Sequence, residues 1–191
     1  ITINQAITLQ SIAGADETIV KGQGDTRAFL LGHYAIVIDG LLVTNFHYTQ
    51  DGAGFRCASR LPVIKNCVVM GNHSTMSCAG GWYGTFYNCV FAHNSAAWTA
   101  AALRGSAAYN CLIYNNAGPF DVGGANGVLL VNCTVVSNSY GGVAGGVCSN
   151  TIIYGNAGYQ YTTLYENISL VWSCSTPLPS GTGNINADPQ F

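Results

Sequence analysis

Apolar residues in this chain fall in short alternating runs, and the runs recur. Cys67 and Val69 occupy alternate positions, and the same alternation returns at Cys89 and Phe91, Cys111 and Ile113, and Cys133 and Val135. A period of two marks a short β-strand with one face turned inward. A second apolar stretch precedes these runs: "PVI" at 62–64, "TF" at 85–86 and "VLLV" at 128–131. Each unit is therefore predicted to hold two short strands with an Asn between them.

The units keep a fixed length. Cys67, Cys89, Cys111 and Cys133 lie 22 residues apart, each preceded by Asn66, Asn88, Asn110 or Asn132 and followed five positions later by Asn72, Asn94, Asn116 or Asn138. A fifth copy, "SNTIIYGN" at 149–156, has Asn150 and Thr151 after a spacing of 18. An earlier, degenerate copy, "IDGLLVTN" at 38–45, carries Asp39-Gly40 where the others have Asn-Cys. A period near 20 is too short for helix-pair repeats and fits the coils of a solenoid. Ordering one coil of 22 residues costs roughly 33 kcal/mol at about 1.5 kcal/mol per residue, so only stacking on neighbours makes a coil stable. Asn accepts left-handed backbone better than other non-glycine residues, which suits a sharp corner, and stacked Asn amides can form a ladder. Cys is small, apolar and often buried, which suits an inward column beyond the corner. Stacked free thiols are expected there. Disulfides between coils remain open, although parallel side-chain directions suit their torsion poorly. The expected organisation is seven or eight coils over residues 1–158, regular from about 57, with 159–191 as an irregular tail or a last coil packed on the rest.

Composition agrees with an all-β reading. Only 7% of residues are charged, against about 25% in an average soluble protein. Hydrophobic residues make up 49%, with 24 glycines and 11 tyrosines, a balance that suits strands and turns better than helical surfaces. At 191 residues the chain fits one domain. The net charge is −2 and the six Lys and Arg are scattered along the sequence, so nucleic acid is not an expected partner. No apolar run reaches the roughly 18 residues of a membrane helix. The chain starts at Ile1 and not Met, which reads as a processed or excised product. The eight cysteines include no C-x-x-C pair, so no zinc or other cofactor is expected. Gly pairs at 80–81, 123–124, 141–142 and 145–146 recur with the coils and read as turns.

The "NCxΦxxN" coils, the opening "ITINQAITLQSIAGADETIVKGQG" and the closing "CSTPLPSGTGNINADPQF" resemble the right-handed parallel β-helix proteins of the pectin-lyase-like superfamily. They are most similar to secreted bacterial β-helix repeat proteins, and the resemblance covers nearly the whole chain. It implies an all-β, right-handed parallel β-helix with coils of about 22 residues, in an extracellular or cell-surface bacterial protein. Since such proteins commonly extend beyond both ends, it also implies a piece of a longer one. Superfamily enzymes that cleave pectin-like polysaccharides cluster acids to hold calcium or to act as acid and base, and their lyases add an Arg or Lys. Here Asp16, Glu17, Asp25, Asp39, Asp51, Asp121, Glu166 and Asp188 form no column, and none of those clusters matches.

Aligned by the 22-residue period, Arg60, Trp82, Arg104 and Asn126 share one column. With coils about 4.8 Å apart, Arg60, Trp82 and Arg104 would form a cation–π stack. That is either a platform for a sugar or acidic glycan, or a surface ladder that shields one face. Met76, Trp98 and Phe120 form a second column, with Ser77, Thr99 and Asp121 beside it, and read first as wall or core packing. Asp121 is a lone candidate acid or cation ligand within "GPFDVGG", which also reads as a turn. His73 and His93 fall at different places in their coils, and His33 and His47 lie in the less regular first part, so no metal column is expected. Asn72, Asn132 and Asn167 head N-glycosylation acceptor triplets, of which Asn132 belongs to the corner column and is not expected to be modified.

Two functions follow. The first is a non-catalytic structural or interaction module of an exported protein. Ile1-Thr-Ile starts directly in a strand pattern, and an uncapped edge invites stacking on another copy into a filament, or on the rest of a longer chain. The second is a polysaccharide-binding or polysaccharide-cleaving module, with Trp82, Arg104, Arg60, Trp98 and Asp121 as its binding residues.

Overall fold

A computed structural model describes residues 1–118, 122–163 and 167–190. Among these residues there is no helix, and every strand pairing is parallel between successive coils of a β-solenoid. The second sheet shows the stacking most simply. Its eight strands run from Ile19–Lys21 through Leu42–Thr44, Val68–Met70, Val90–Ala92, Leu112–Tyr114, Thr134–Val136 and Ile152–Tyr154 to Cys174–Ser175. A fourteen-stranded sheet forms the opposing wall as two columns of strands, joined in later coils where Ala125–Val131 and Gly141–Ser149 run through both. A third sheet has three short strands, His47–Tyr48, His73–Ser74 and Ser95–Ala96.

The alternating positions meet inside. Val43, Val69, Phe91, Ile113, Val135 and Ile153 are fully buried and come from successive rungs of the second sheet. They pack against Phe29, Phe55 and Phe86, with the rings of Phe29 and Phe55 stacked at 5.0 Å. Each such side chain contributes roughly 1.5–3 kcal/mol on burial.

The corner Asn residues adopt the expected left-handed backbone: φ is 53° at Asn66, 52° at Asn88, 54° at Asn110, 55° at Asn132 and 49° at Asn150. Their exposed amides form a ladder, each Nδ2 donating to the Oδ1 one coil earlier at 2.8–3.3 Å. The ladder begins at a carboxylate, since Asn66 donates to Asp39 (2.8 Å), which also pairs with Lys65 (3.2 Å). Here the structure corrects the alignment. Asp39 pairs with Lys65, so Gly40 (φ 72°) and not Asp39 takes the place of the corner Asn, and Leu41 takes the place of Cys67. The offset is 26 residues and not 27, because Phe46 occupies the site of Asn72.

The Cys column does more than fill space. All eight cysteines are buried and free. Cys67, Cys89, Cys111 and Cys133 each donate Sγ–H to the carbonyl two residues earlier at 3.2–3.3 Å. Thr151 and Ser173 donate their hydroxyls in the same way at 3.0 and 2.9 Å. The column therefore selects a small donor as well as an apolar surface. Burial pushes the thiols of Cys57, Cys78 and Cys148 up to about 12.

A second ladder, unassigned by the sequence reading, lies in the core. Asn72, Asn94, Asn116 and Asn138 are buried, and the Oδ1 of each later Asn accepts both Nδ2–H and the main-chain N–H of the Asn one coil before. Asn156 and then Gln160 continue it. The residues just before it are again left-handed, including His93 (φ 53°), Asn115 (53°) and Ser137 (57°). His93 thus serves as a corner.

The two ends differ. Thr2–Ile3, Thr8–Gln10 and Ile19–Lys21 pair on one side only, and Ile1, Ile7, Ile12 and Ile19 are exposed beside them. At the other end Tyr159–Thr162, Ile168–Val171 and Cys174–Ser175 build a further coil, and residues 176–190 fold back over it. Thr182 accepts from Trp172 N–H (2.9 Å), Asn184 bonds Ser173 and Leu170, and Ile185 bridges to Cys174.

Candidate functional site

Outward positions on the longer wall gather the chain's arginines. Phe55, Gly81 and Leu103 are buried, so their strand neighbours Arg56, Trp82 and Arg104 project outward and stand in register. The Arg104 guanidinium carbon lies 4.9 Å from the centre of the Trp82 ring, and that of Arg56 lies 5.6 Å away. Trp82 is therefore held between two cations, each contact worth roughly 0.5–1 kcal/mol at such an exposed site.

Arg56, and not Arg60, fills the expected place below Trp82. Four extra residues in the corner before Val63 make this coil 26 residues long on one side of the corner and 22 on the other. Arg60 sits in that enlarged corner and reaches across the following coils, donating Nε to Gly105 O and Nη2 to Gly127 O (3.0 Å). Its guanidinium joins Trp82, Tyr83, Arg104 and Asn126 around a surface depression of about 300 Å³. Arg27 completes the group, 4.3 Å over the Tyr48 ring, donating to Gly52 O and Asp51 O at 2.8 Å. The arginines are scattered in sequence, yet all four lie on this face.

Their polar partners are few. Arg104 Nη1 donates to Thr99 Oγ1 (2.8 Å) and Ser77 Oγ (3.4 Å). Asp51 accepts Ser77 N–H (2.9 Å) and faces Arg56 Nη1 at 3.8 Å. Ser77 and Thr99 thus enter through Arg104. Trp98 and Met76 are 59% and 41% exposed, so they belong to the surface and not to the core. Phe120 and Asp121 lie outside the described residues.

A histidine pair escaped the sequence reading because its offset is 26. His47 and His73 are in register with ring centres 4.8 Å apart, and His73 Nδ1 hydrogen-bonds Ser95 Oγ at 2.8 Å. Partial burial and then His47 lower the His73 pKa. Among the described residues no group of three or more His, Cys, Asp or Glu is placed to hold a metal. No helix among them is long and apolar enough to cross a membrane. Of the glycosylation triplets, Asn72 is closed within the buried ladder, whereas Asn132 and Asn167 are exposed.

Comparison with known proteins bears on the fold. A family model described as "Right handed beta helix region" matches residues 29–167. Among solved structures, pectate lyase Pel9A is similar with a TM-score of 0.50 and 14% identity, over 82% of this chain and 52% of that enzyme. The chain thus spans about half the length of that enzyme, and at this identity the likeness concerns the fold alone. A search of curated protein sequences gave no match.

Proposed function

The chain belongs to the right-handed β-helix family, and from that premise we propose that it is a non-catalytic interaction module whose arginine face binds an acidic polysaccharide. One observation carries the reading: a chain with only 7% charged residues places three of its four arginines around one partly exposed tryptophan. A uronic acid polymer offers both matching chemistries. Its carboxylates accept paired N–H bonds from guanidinium, and its ring faces lie on an indole. The successive Arg, Trp and Arg rungs, about 4.8 Å apart, suit an extended polymer better than a single sugar. That one similar solved structure is a pectate lyase agrees with this ligand class. Asp51, held by Ser77 N–H and Arg56, is spoken for as an ion-pair partner, which favours binding over acid–base chemistry. An exported or cell-surface location fits such a ligand.

The test is calorimetric titration with polygalacturonate and with neutral galactan. Selective binding to the former is expected, weakening as salt rises. Trp82→Ala and Arg104→Ala should each reduce affinity about tenfold, the cost of roughly 1.4 kcal/mol. Unchanged affinity in both variants rules the site out, and calcium-dependent cleavage of the polymer would show an enzyme instead.

The open first coil favours a second role, joining end to end with another β-helix. Strand edges beside exposed Ile1, Ile7, Ile12 and Ile19 suit an added coil, from a second copy or from the rest of a longer chain. The opposite end is covered by residues 176–190, so a head-to-tail filament requires this segment to move. Sedimentation with negative-stain electron microscopy decides: regular fibres support the filament, and monomers at all concentrations exclude it.

A further inference from the structure

The left-handed corner column ends on a residue unlike its predecessors. After Asn132 and Asn150 comes Trp172, at φ 52°. Left-handed backbone is unfavourable for a bulky aromatic, whereas Asn tolerates it, and an outlier of this kind points toward function. The indole is 63% exposed. It rests on Gly183, where an added Cβ would overlap the ring, so the close approach requires glycine there.

Beside the indole runs a groove of about 570 Å³, lined by Trp172, Asn150, Thr134, Ile152 and Asp188 among others. Thr134 also lines a second depression of about 410 Å³. The exposed amide ladder also ends here. Asn150 gives Nδ2 to Asn132 at 2.8 Å, and its Oδ1 is the last acceptor of the row because Trp172 brings no amide. The groove thus pairs an open aromatic face with a carbonyl acceptor that takes no side-chain amide from the described residues, over a floor of Thr and Ile.

We propose that this groove binds a neutral oligosaccharide, with one pyranose ring on the Trp172 indole and a hydroxyl of that ring donating to Asn150 Oδ1. A sugar presents a ring face of C–H groups edged by hydroxyls, which is the complement of this surface. Two depressions that share Thr134 in their walls suit several linked rings. The carboxylate bordering the groove, Asp188, opposes uronic acids, so this ligand differs from that of the arginine face. The proposal is independent of the arginine-face reading.

The experiment uses the chain with Trp82→Phe and Trp98→Phe, which leaves Trp172 as the sole remaining tryptophan of three. Its fluorescence is titrated with the β-1,4-linked hexasaccharides of glucose, mannose and xylose, and with hexagalacturonate. A saturable change with at least one neutral sugar is expected, with hexagalacturonate at least tenfold weaker. In calorimetry, Trp172→Asn should weaken binding at least tenfold. It places a corner-tolerant residue at the strained site, so the circular dichroism should be unchanged. Asn150→Gly keeps the corner and removes only the amide, and should weaken binding at least threefold. Absence of any response to the neutral sugars, tighter binding of hexagalacturonate, or full affinity in both variants overturns the proposal. If Trp172→Asn fails to fold, Asn150→Gly decides alone.

Discussion

Asn appears twice in each coil, and the two positions are unequal. At Asn88 the side chain is exposed, and the backbone angle is its main demand. At Asn94 the side chain is fully buried and holds two main-chain groups of the preceding coil, accepting Asn72 N–H and donating to Val69 O. Asn94→Ala leaves Asn72 N–H buried without a partner, at about 1–3 kcal/mol. It also removes one bond each from the Asn72 amide and Val69 O, at about 0.5–1.5 kcal/mol each, so a loss of roughly 2–6 kcal/mol is expected. Asn88→Ala should cost only about 1–2 kcal/mol, from strain in the left-handed corner, and Asn88→Gly less. Urea denaturation of the three variants measures the difference, and equal losses at 88 and 94 would contradict it. Both columns were visible in the sequence as a fixed pattern. Which of them is buried was not, because burial depends on the third sheet, whose strands are too short to leave a hydrophobic period.

At the scale of the coil, the Cys position joins one rung to the next. Cys111 Sγ donates to Tyr109 O at 3.3 Å and accepts Cys89 N–H at 3.4 Å. Cys111→Ser retains both bonds, as Ser173 does naturally toward Val171 O and Thr151 N–H. Cys111→Val fills the space but drops both, and should be less stable than Cys111→Ser by about 2 kcal/mol or more. Thermal melts under reducing conditions compare them; a Val variant as stable as Ser would mean that packing alone sets the column. The regular coils were legible because strand, corner and strand keep one length. Arg60 was misplaced because four residues were added at one corner, so a constant period carried it into the register of Arg56. The same offset hid His47 from His73. The short coil behaves in the opposite sense. Between Asn132 and Asn150 the spacing falls to 18, Gly141–Ser149 runs on as a single strand, and among the described residues the third sheet has no strand in this coil.

For the whole molecule, length changes are taken up at corners while the side-chain columns keep their order, so the repeat fixed the architecture and left the lateral surface open. The arginine face could be read from spacing only in part. Trp82 beside Arg104 follows the 22-residue interval, but Arg27 and Arg56 do not, and only coils of unequal length bring them to this face. The ends likewise carry no period, and it took the fold to show one bare and the other covered.

That asymmetry gives the molecule a mechanical direction. Held at its two termini and stretched, the chain should come apart from the uncovered first coil, whose edge strands have a neighbour on one side only. The tail laid over the last coil delays rupture there. Each regular coil that detaches frees 22 residues, or about 75 Å of extended chain. A force–extension trace should therefore show a train of similar small steps in place of one large event. Crosslinking the first coil to the second should remove the earliest of them.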